Sequence, residues 1–123
     1  MKSKLKISVI TVTKNSEKFL EENINSLAKQ THKNFEHIII DGQSTDKTIE
    51  IIKKNFDKIN YWKSEPDKSL YDAMNKGIKA STGDIIGILN SDDIYYPGAL
   101  EIVNKYFSDD PNLDFLFGTV EKY

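Results

Sequence analysis

The chain has 123 residues, 38% of them hydrophobic, with 17 basic and 19 acidic side chains and a net charge of -2. That is the size and composition of one ordinary domain, and its balanced charge gives no bulk attraction to nucleic acid or to a membrane. There is no cysteine, which excludes disulfides and thiolate metal sites, and His32 and His37 are too few for a His-rich zinc site. Every basic residue is lysine, so any phosphate contact must use an ammonium, a backbone N–H or a metal rather than a guanidinium fork.

The chain opens with a basic stretch and a β-branched run over 6–13 that predicts a strand. Ser8 and Thr11 interrupt this run, so it reads as no signal peptide, and nowhere does an apolar stretch approach the roughly 18 to 20 residues of a membrane span. A cytoplasmic protein is expected, peripheral at the inner face of the cell membrane at most. Helical spacing follows over 16–30, with Phe19, Leu20, Ile24, Leu27 and Ala28 on one face and Ser16 as N-cap. A second strand is predicted over 35–40, ending at Asp41-Gly42. Ser44 or Thr45 would cap a helix to about residue 55, with Ile49, Ile52 and Phe56 facing inward. A short strand over 59–63, a helix over 69–80 and a fourth strand over 84–89 come next. Pro97 sits in the first turn of a helix to about residue 107, and a fifth strand is predicted over 113–120.

This alternation of strands and helices predicts an α/β fold: a mostly parallel sheet with helices on both faces and all strand-to-helix loops on one edge. Three loops then carry the chemistry. Asn90-Ser91-Asp92-Asp93 ends the fourth strand with short oxygen-bearing side chains. Clustered carboxylates repel unless a cation or proton lies between them, and carboxylate oxygen suits Mg²⁺ or Mn²⁺. The same four residues also read as a solvated turn capping the next helix. Asp41-Gly42 reads either as a carboxylate offered to a planar N–H donor or as an Asx turn. Thr13-Lys14-Asn15 reads either as backbone offered to a base or as plain strand termination.

Four blocks together resemble the large inverting nucleotide-sugar glycosyltransferase family 2, with its GT-A fold. They are Ile7-Ser8-Val9-Ile10-Thr11-Val12-Thr13-Lys14-Asn15; Ile38-Ile39-Ile40-Asp41-Gly42-Gln43-Ser44-Thr45-Asp46-Lys47-Thr48; Ser64-Glu65-Pro66-Asp67-Lys68-Ser69-Leu70-Tyr71-Asp72-Ala73-Met74-Asn75-Lys76-Gly77-Ile78; and Gly83-Asp84-Ile85-Ile86-Gly87-Ile88-Leu89-Asn90-Ser91-Asp92-Asp93. The third is similar to a segment of the family's bacterial polysaccharide branch. The resemblance implies a Rossmann-like three-layer α/β/α domain, truncated, with residues 1–123 as its nucleotide-sugar-binding half. It implies that Val12, Thr13, Asn15, Asp41, Asp72, Asn90, Ser91 and Asp92 bind a nucleoside-diphosphate sugar, a UDP-sugar first. Asp41 would take the base, Asn90 the ribose, and Asp92 with Asp93 an Mg²⁺ or Mn²⁺ ion. The implied acceptor is a saccharide or lipid-linked saccharide.

Some residues depart from the family's pattern. Lys14 stands where many relatives have tyrosine, Ser69 where they commonly have glycine, and Asn90 where they have the first Asp of Asp-x-Asp. Relatives also continue through an acceptor half that carries the catalytic base. Asp109, Asp110 and Asp114 read instead as a turn, so the base is expected to be absent. An inactive donor-binding fragment is therefore the alternative reading. Its incomplete sheet would favour self-association into a homo-oligomer. A response-regulator-like domain is disfavoured, because it requires its acidic pair after the first strand and here that pair follows the fourth.

Overall fold

A computed structural model describes residues 5–110, 112 and the backbone of 121–122. Four parallel strands form the main sheet: β1 (Ile7–Thr13), β2 (Phe35–Asp41), β3 (Tyr61–Ser64) and β4 (Ile85–Ile88), in the order β3-β2-β1-β4. Between them run α1 (Leu20–Ala28), α2 (Thr48–Lys54) and α3 (Leu70–Ala80). The two-residue strand β5 (Asp93–Ile94) follows, then α4 (Ala99–Asp109), and β5 pairs antiparallel with β6 (Glu121–Lys122). The fifth strand predicted over 113–120 lies outside the described residues, as does Asp114.

Burial explains the layering. β1 and β2 are buried along almost their whole length, as strands covered on both faces must be. Alternate residues face opposite ways. Ile10, Ile38 and Ile40 point to one side, where Ala73 of α3 closes over them. Ile7, Val9 and Ile39 point to the other side. There Leu27 of α1 and Leu100 of α4 meet the first two, and Leu20 and Ile24 of α1 with Ile52 of α2 meet the third. The predicted three-layer α/β/α architecture is therefore present.

Helix α3 lies so close to the sheet that a Cβ on Gly77 would stand 2.5 Å from Ile10 Cγ2. We expect Gly77→Val to lower stability by about 1–3 kcal/mol through overpacking, readable as a reduced urea midpoint. An unchanged midpoint would mean that α3 can lift without cost.

Several boundaries differ from the sequence expectation. α1 begins at Leu20 with Phe19 at its N-cap; the Ser16 hydroxyl does not cap it, because it accepts from Lys14 N–H and meets Ser91 instead. α2 begins at Thr48, where Asp46 Oδ1 accepts from the Thr48 N–H at 2.9 Å, so neither Ser44 nor Thr45 caps it. Phe56 is 70% exposed on a 3-10 turn, Phe56–Lys58, that ends the helical face early. Pro97 precedes α4, and Gly98, at φ 83°, makes the turn into it. α3 agrees with the sequence, its N-cap Ser69 accepting from Asp72 N–H at 3.1 Å. At the other edge of the sheet, Ile86 and Ile88 of β4 remain 44% and 42% exposed, because α3 packs over β1 and β2.

Candidate functional site

In this order the chain runs β1 to β2 to β3 in one direction, then returns to place β4 on the other side of β1. The order reverses between β1 and β4, and in open α/β sheets the ligand crevice lies at such a reversal, outside the carboxyl ends of the strands.

The register builds the centre of this edge. Thr13 pairs with Asp41, and Asp41 with Ser64, so the last residues of three strands stand in a row. Asp41 is fully buried, and its carboxylate accepts four hydrogen bonds. Oδ1 takes Thr13 Oγ1 and Ser44 Oγ, each at 2.6 Å, and Oδ2 takes Ser44 N–H at 2.9 Å and Ser64 Oγ at 2.8 Å. A carboxylate offers about four acceptor positions, so these donors fill it. Burial pushes its pKa up, but the bonds from Ser44, Thr13 and Ser64 together hold it below the usual carboxylate range. Asp41 thus binds the first three loops to one another. A base could take it only by displacing a serine or threonine hydroxyl.

The loops are tied further. Asn15 adopts φ 49°, and its Oδ1 accepts from Thr45 N–H at 2.8 Å while its own N–H reaches Ser44 Oγ at 2.7 Å. Gln43 also lies at positive φ, 61°. Ser16 crosses to the fourth loop, its hydroxyl 3.0 Å from that of Ser91. From α1, Asn23 Nδ2 donates to the carbonyls of Asn90, at 2.9 Å, and Asp93, at 3.0 Å, which pins the acidic turn.

Within that turn the side chains part company. Asn90 and Asp92 are exposed, Ser91 is half-buried, and Asp93 is buried at 3% exposure with Oδ1 lacking a hydrogen-bond partner. No group of three or more His, Asp or Glu side chains is gathered to hold a metal among the described residues. This chemistry fits a hard cation that takes one or two carboxylates and draws its other ligands from phosphate and water, with Asp92 as the accessible carboxylate.

A cleft of 390 Å³ opens beside these loops, lined by Val12, Thr13, Lys14, Gly42, Gln43, Pro66, Asp67, Ser69, Leu70 and Ala73. Its volume lies within the usual range for small-molecule sites. Gly42 is its floor: a Cβ there would meet Asp67 Oδ2 at 3.1 Å and Lys14 Cδ at 3.5 Å. Lys14 Nζ donates to the carbonyls of Gly42, at 2.7 Å, and Gln43, at 3.2 Å.

Of the residues expected from sequence, Val12 and Thr13 line this cleft. Asn15, Asp41, Asn90, Ser91 and Asp92 do not line it: Asn15 and Asp41 bond the neighbouring loops together, Ser91 meets Ser16, and Asn90 and Asp92 are exposed. Asp72 belongs to the first turn of α3, where its carboxylate accepts from Lys68 N–H at 2.9 Å. The wall made by Pro66, Asp67, Ser69 and Leu70 falls in the third block that resembles the family, but none of the four is among the binding residues expected from sequence. Its signal was Pro66-Asp67 followed by a capping serine, a turn poised at a helix N-terminus.

Fold and site together define a Rossmann-like α/β protein with a cleft at the carboxyl ends of β1 and β2, beside the strand at which the sheet order reverses. The profile described as glycosyl transferase family 2 matches residues 8–123, and the chain belongs to that family. An uncharacterized glycosyltransferase of Methanocaldococcus jannaschii is 37% identical over 119 residues, 93% of this chain and 41% of the relative. A dolichyl N-acetyl-alpha-D-glucosaminyl phosphate 3-beta-D-2,3-diacetamido-2,3-dideoxy-beta-D-glucuronosyltransferase of Methanococcus voltae is 31% identical, over 94% of this chain and 39% of the relative. Among solved structures, S. aureus TarS residues 1–349 with UDP-GlcNAc superposes at a TM-score of 0.79 with 31% identity, covering 85% of this chain and 31% of that one. A mannosyltransferase of Pyrobaculum calidifontis with GDP-Man and Mn²⁺ shares the fold at a TM-score of 0.77 and 21% identity. The chain therefore spans about two fifths or less of these relatives. Among the described residues no helix is long and apolar enough to cross a membrane.

Proposed function

We propose that residues 1–123 form the donor half of a nucleotide-sugar glycosyltransferase that binds a nucleoside-diphosphate sugar, a UDP-sugar first, at the strand ends. One observation carries this reading. A 390 Å³ cleft floored by Gly42 opens at the carboxyl ends of β1 and β2, and the exposed Asp92 follows β4 across the switch point. The base would enter over Gly42, between the Lys14 stem and Asp67. The diphosphate would run toward Asn90 and Asp92.

A divalent cation, Mg²⁺ or Mn²⁺, would be held by Asp92 and would supply Lewis-acid stabilisation of the charge on the leaving diphosphate. Asp93 would act differently, because its carboxylate is buried. It fixes the turn from below through its backbone, together with Asn23. The chain's own residues thus bind and orient the donor, and the hydroxyl-rich loops keep the turn in place.

Inverting transfer to a saccharide or lipid-linked saccharide, as in polysaccharide synthesis, would need a base for the acceptor hydroxyl. The described carboxylates near the end of α4 do not suit that role. Asn104 of α4 accepts from Leu5 N–H at 2.9 Å, next to the amino end of β1; Asp109 ends that helix, Asp110 follows it, and neither lines the cleft. The acceptor half would then come from sequence of the kind its longer relatives carry, and these residues alone would transfer no sugar.

Amide shifts on titration with UDP-GlcNAc test the placement. They should concentrate at 12–15, 42–44, 66–73 and 90–92. Shifts spread elsewhere, or none at millimolar ligand, would overturn it.

A further inference from the structure

The wall of the cleft formed by the β3–α3 loop is held by one cation. Lys76 Nζ lies 2.5 Å from Asp67 Oδ1, 3.1 Å from Glu65 Oε1, 3.1 Å from the Pro66 carbonyl and 3.5 Å from Asp72 Oδ2. An ammonium has three protons, so Asp67, Glu65 and Pro66 can all be bonded at once, while Asp72 is attracted across the slightly longer gap. The Lys76 side chain is 24% exposed and that of Asp67 only 10%, so this pairing is shielded more than a surface ion pair. Among the described ion pairs of this loop, Lys63 reaches only the other oxygen of Glu65, at 3.5 Å.

Two consequences meet at the cleft. First, with Oδ1 of Asp67 bonded to Lys76, Oδ2 is left facing the floor, where a Cβ on Gly42 would come within 3.1 Å of it. Second, Asp67 lines the cleft and Glu65 and Asp72 gather round the same ammonium, so three negative charges stand at or beside one wall of a site that, in the proposed function, takes an anionic ligand. The Asp67 hydrogen bond raises the Lys76 pKa above the ordinary lysine range, with burial opposing and Glu65 adding to it, so the ammonium stays charged at any physiological pH.

We infer that Lys76 is the positioning residue of the donor cleft: it orients Asp67 toward the floor and offsets the wall's negative charge, so that a diphosphate can approach. The residue need not touch the ligand. The inference rests on the proposed nucleotide site and deepens it.

The test compares UDP with uridine, at constant Mn²⁺, for the wild-type chain and for Lys76→Met. Loss of an offsetting charge should weaken UDP by about tenfold or more, the scale of a single unscreened unit charge near a partly shielded site, while uridine weakens much less. Raising the salt should narrow the gap. A merely structural lysine would lower both affinities alike and leave their ratio unmoved by salt, which would overturn the inference. Glu65→Gln gives the reverse test without removing the lysine: UDP should tighten relative to uridine, and an unchanged ratio would contradict the inference even if Lys76→Met fails to fold. If the wild-type chain binds no UDP, the proposed function fails and this inference with it. If the wild type binds UDP and neither variant shifts the ratio, the inference fails by itself.

Discussion

Replacing Asp41 with alanine is expected to remove about 3–5 kcal/mol of stability, a large share of the 5–15 kcal/mol typical of a domain. The carboxylate joins the ends of β1, β2 and β3 through four short bonds, and alanine would strand one backbone N–H and three hydroxyls in a buried place. Asparagine should cost only about 1–2 kcal/mol. Its amide nitrogen can take the Oδ1 position, where the Thr13 and Ser44 hydroxyls can turn to accept, and its oxygen can still accept from Ser44 N–H. Urea unfolding of the three proteins reads both values.

The pH sign follows from the folded state's lowered pKa. Stability from the ionised Asp41 is fully present above the unfolded value of about 4 and is lost as pH falls through the folded one. Asp41→Asn should lose that acid dependence. Equal stability for alanine and wild type would show that the loops hold without the carboxylate.

His37 gives the second large effect, in a different window. It is fully buried, with Nε2 2.9 Å from Thr11 Oγ1 and no partner for Nδ1, and burial pushes its pKa down to about 3. The unfolded imidazole titrates near 6.5, so below that pH the unfolded chain binds a proton that the native chain refuses. Stability should therefore fall with pH from about 6.5 toward 3, at up to about 1.4 kcal/mol per unit. Between pH 7.5 and 4.5 the loss would be about 2–3 kcal/mol, most of it above pH 5, where carboxylates contribute little. His37→Gln should remove that part of the slope. Parallel pH profiles for the variant and the wild type would show that the imidazole is protonated in the fold.

The same residues show why the fold was more legible than the site. β-branched runs and helical spacing mark elements by period alone, and the alternation of strand and helix leaves few topologies. The predicted strands and helices are accordingly present wherever the described residues cover them. Helix starts were read less well, because Ser16, Ser44 and Thr45 look like caps in sequence but their hydroxyls bond across to other loops, Thr45 Oγ1 to Asn15 Oδ1 at 3.5 Å. That competition depends on contacts across about thirty residues or more, which no local pattern shows.

The site was legible as a set of loops. Asp41 and Asp92 stood out because each ends a strand. That Asp41 is filled by its neighbours, and that Asp93 turns inward while Asp92 stays exposed, depends on sheet register and on Asn23 reaching over from α1. Lys76 carried no signal at all in one dimension. It is one lysine among seventeen basic residues, and only the fold brings Glu65, Asp67 and Asp72 to it.

In the proposed function these strand ends bind a nucleoside diphosphate through a cation on Asp92. Calorimetry of UDP binding to the wild-type chain and to Asp92→Asn, each with Mn²⁺ and with EDTA, tests it most directly. EDTA should weaken wild-type binding by at least tenfold, and the variant should bind as weakly with Mn²⁺ as the wild type does without it. Wild-type affinity unaffected by EDTA, or a variant that keeps its full response to Mn²⁺, would contradict it.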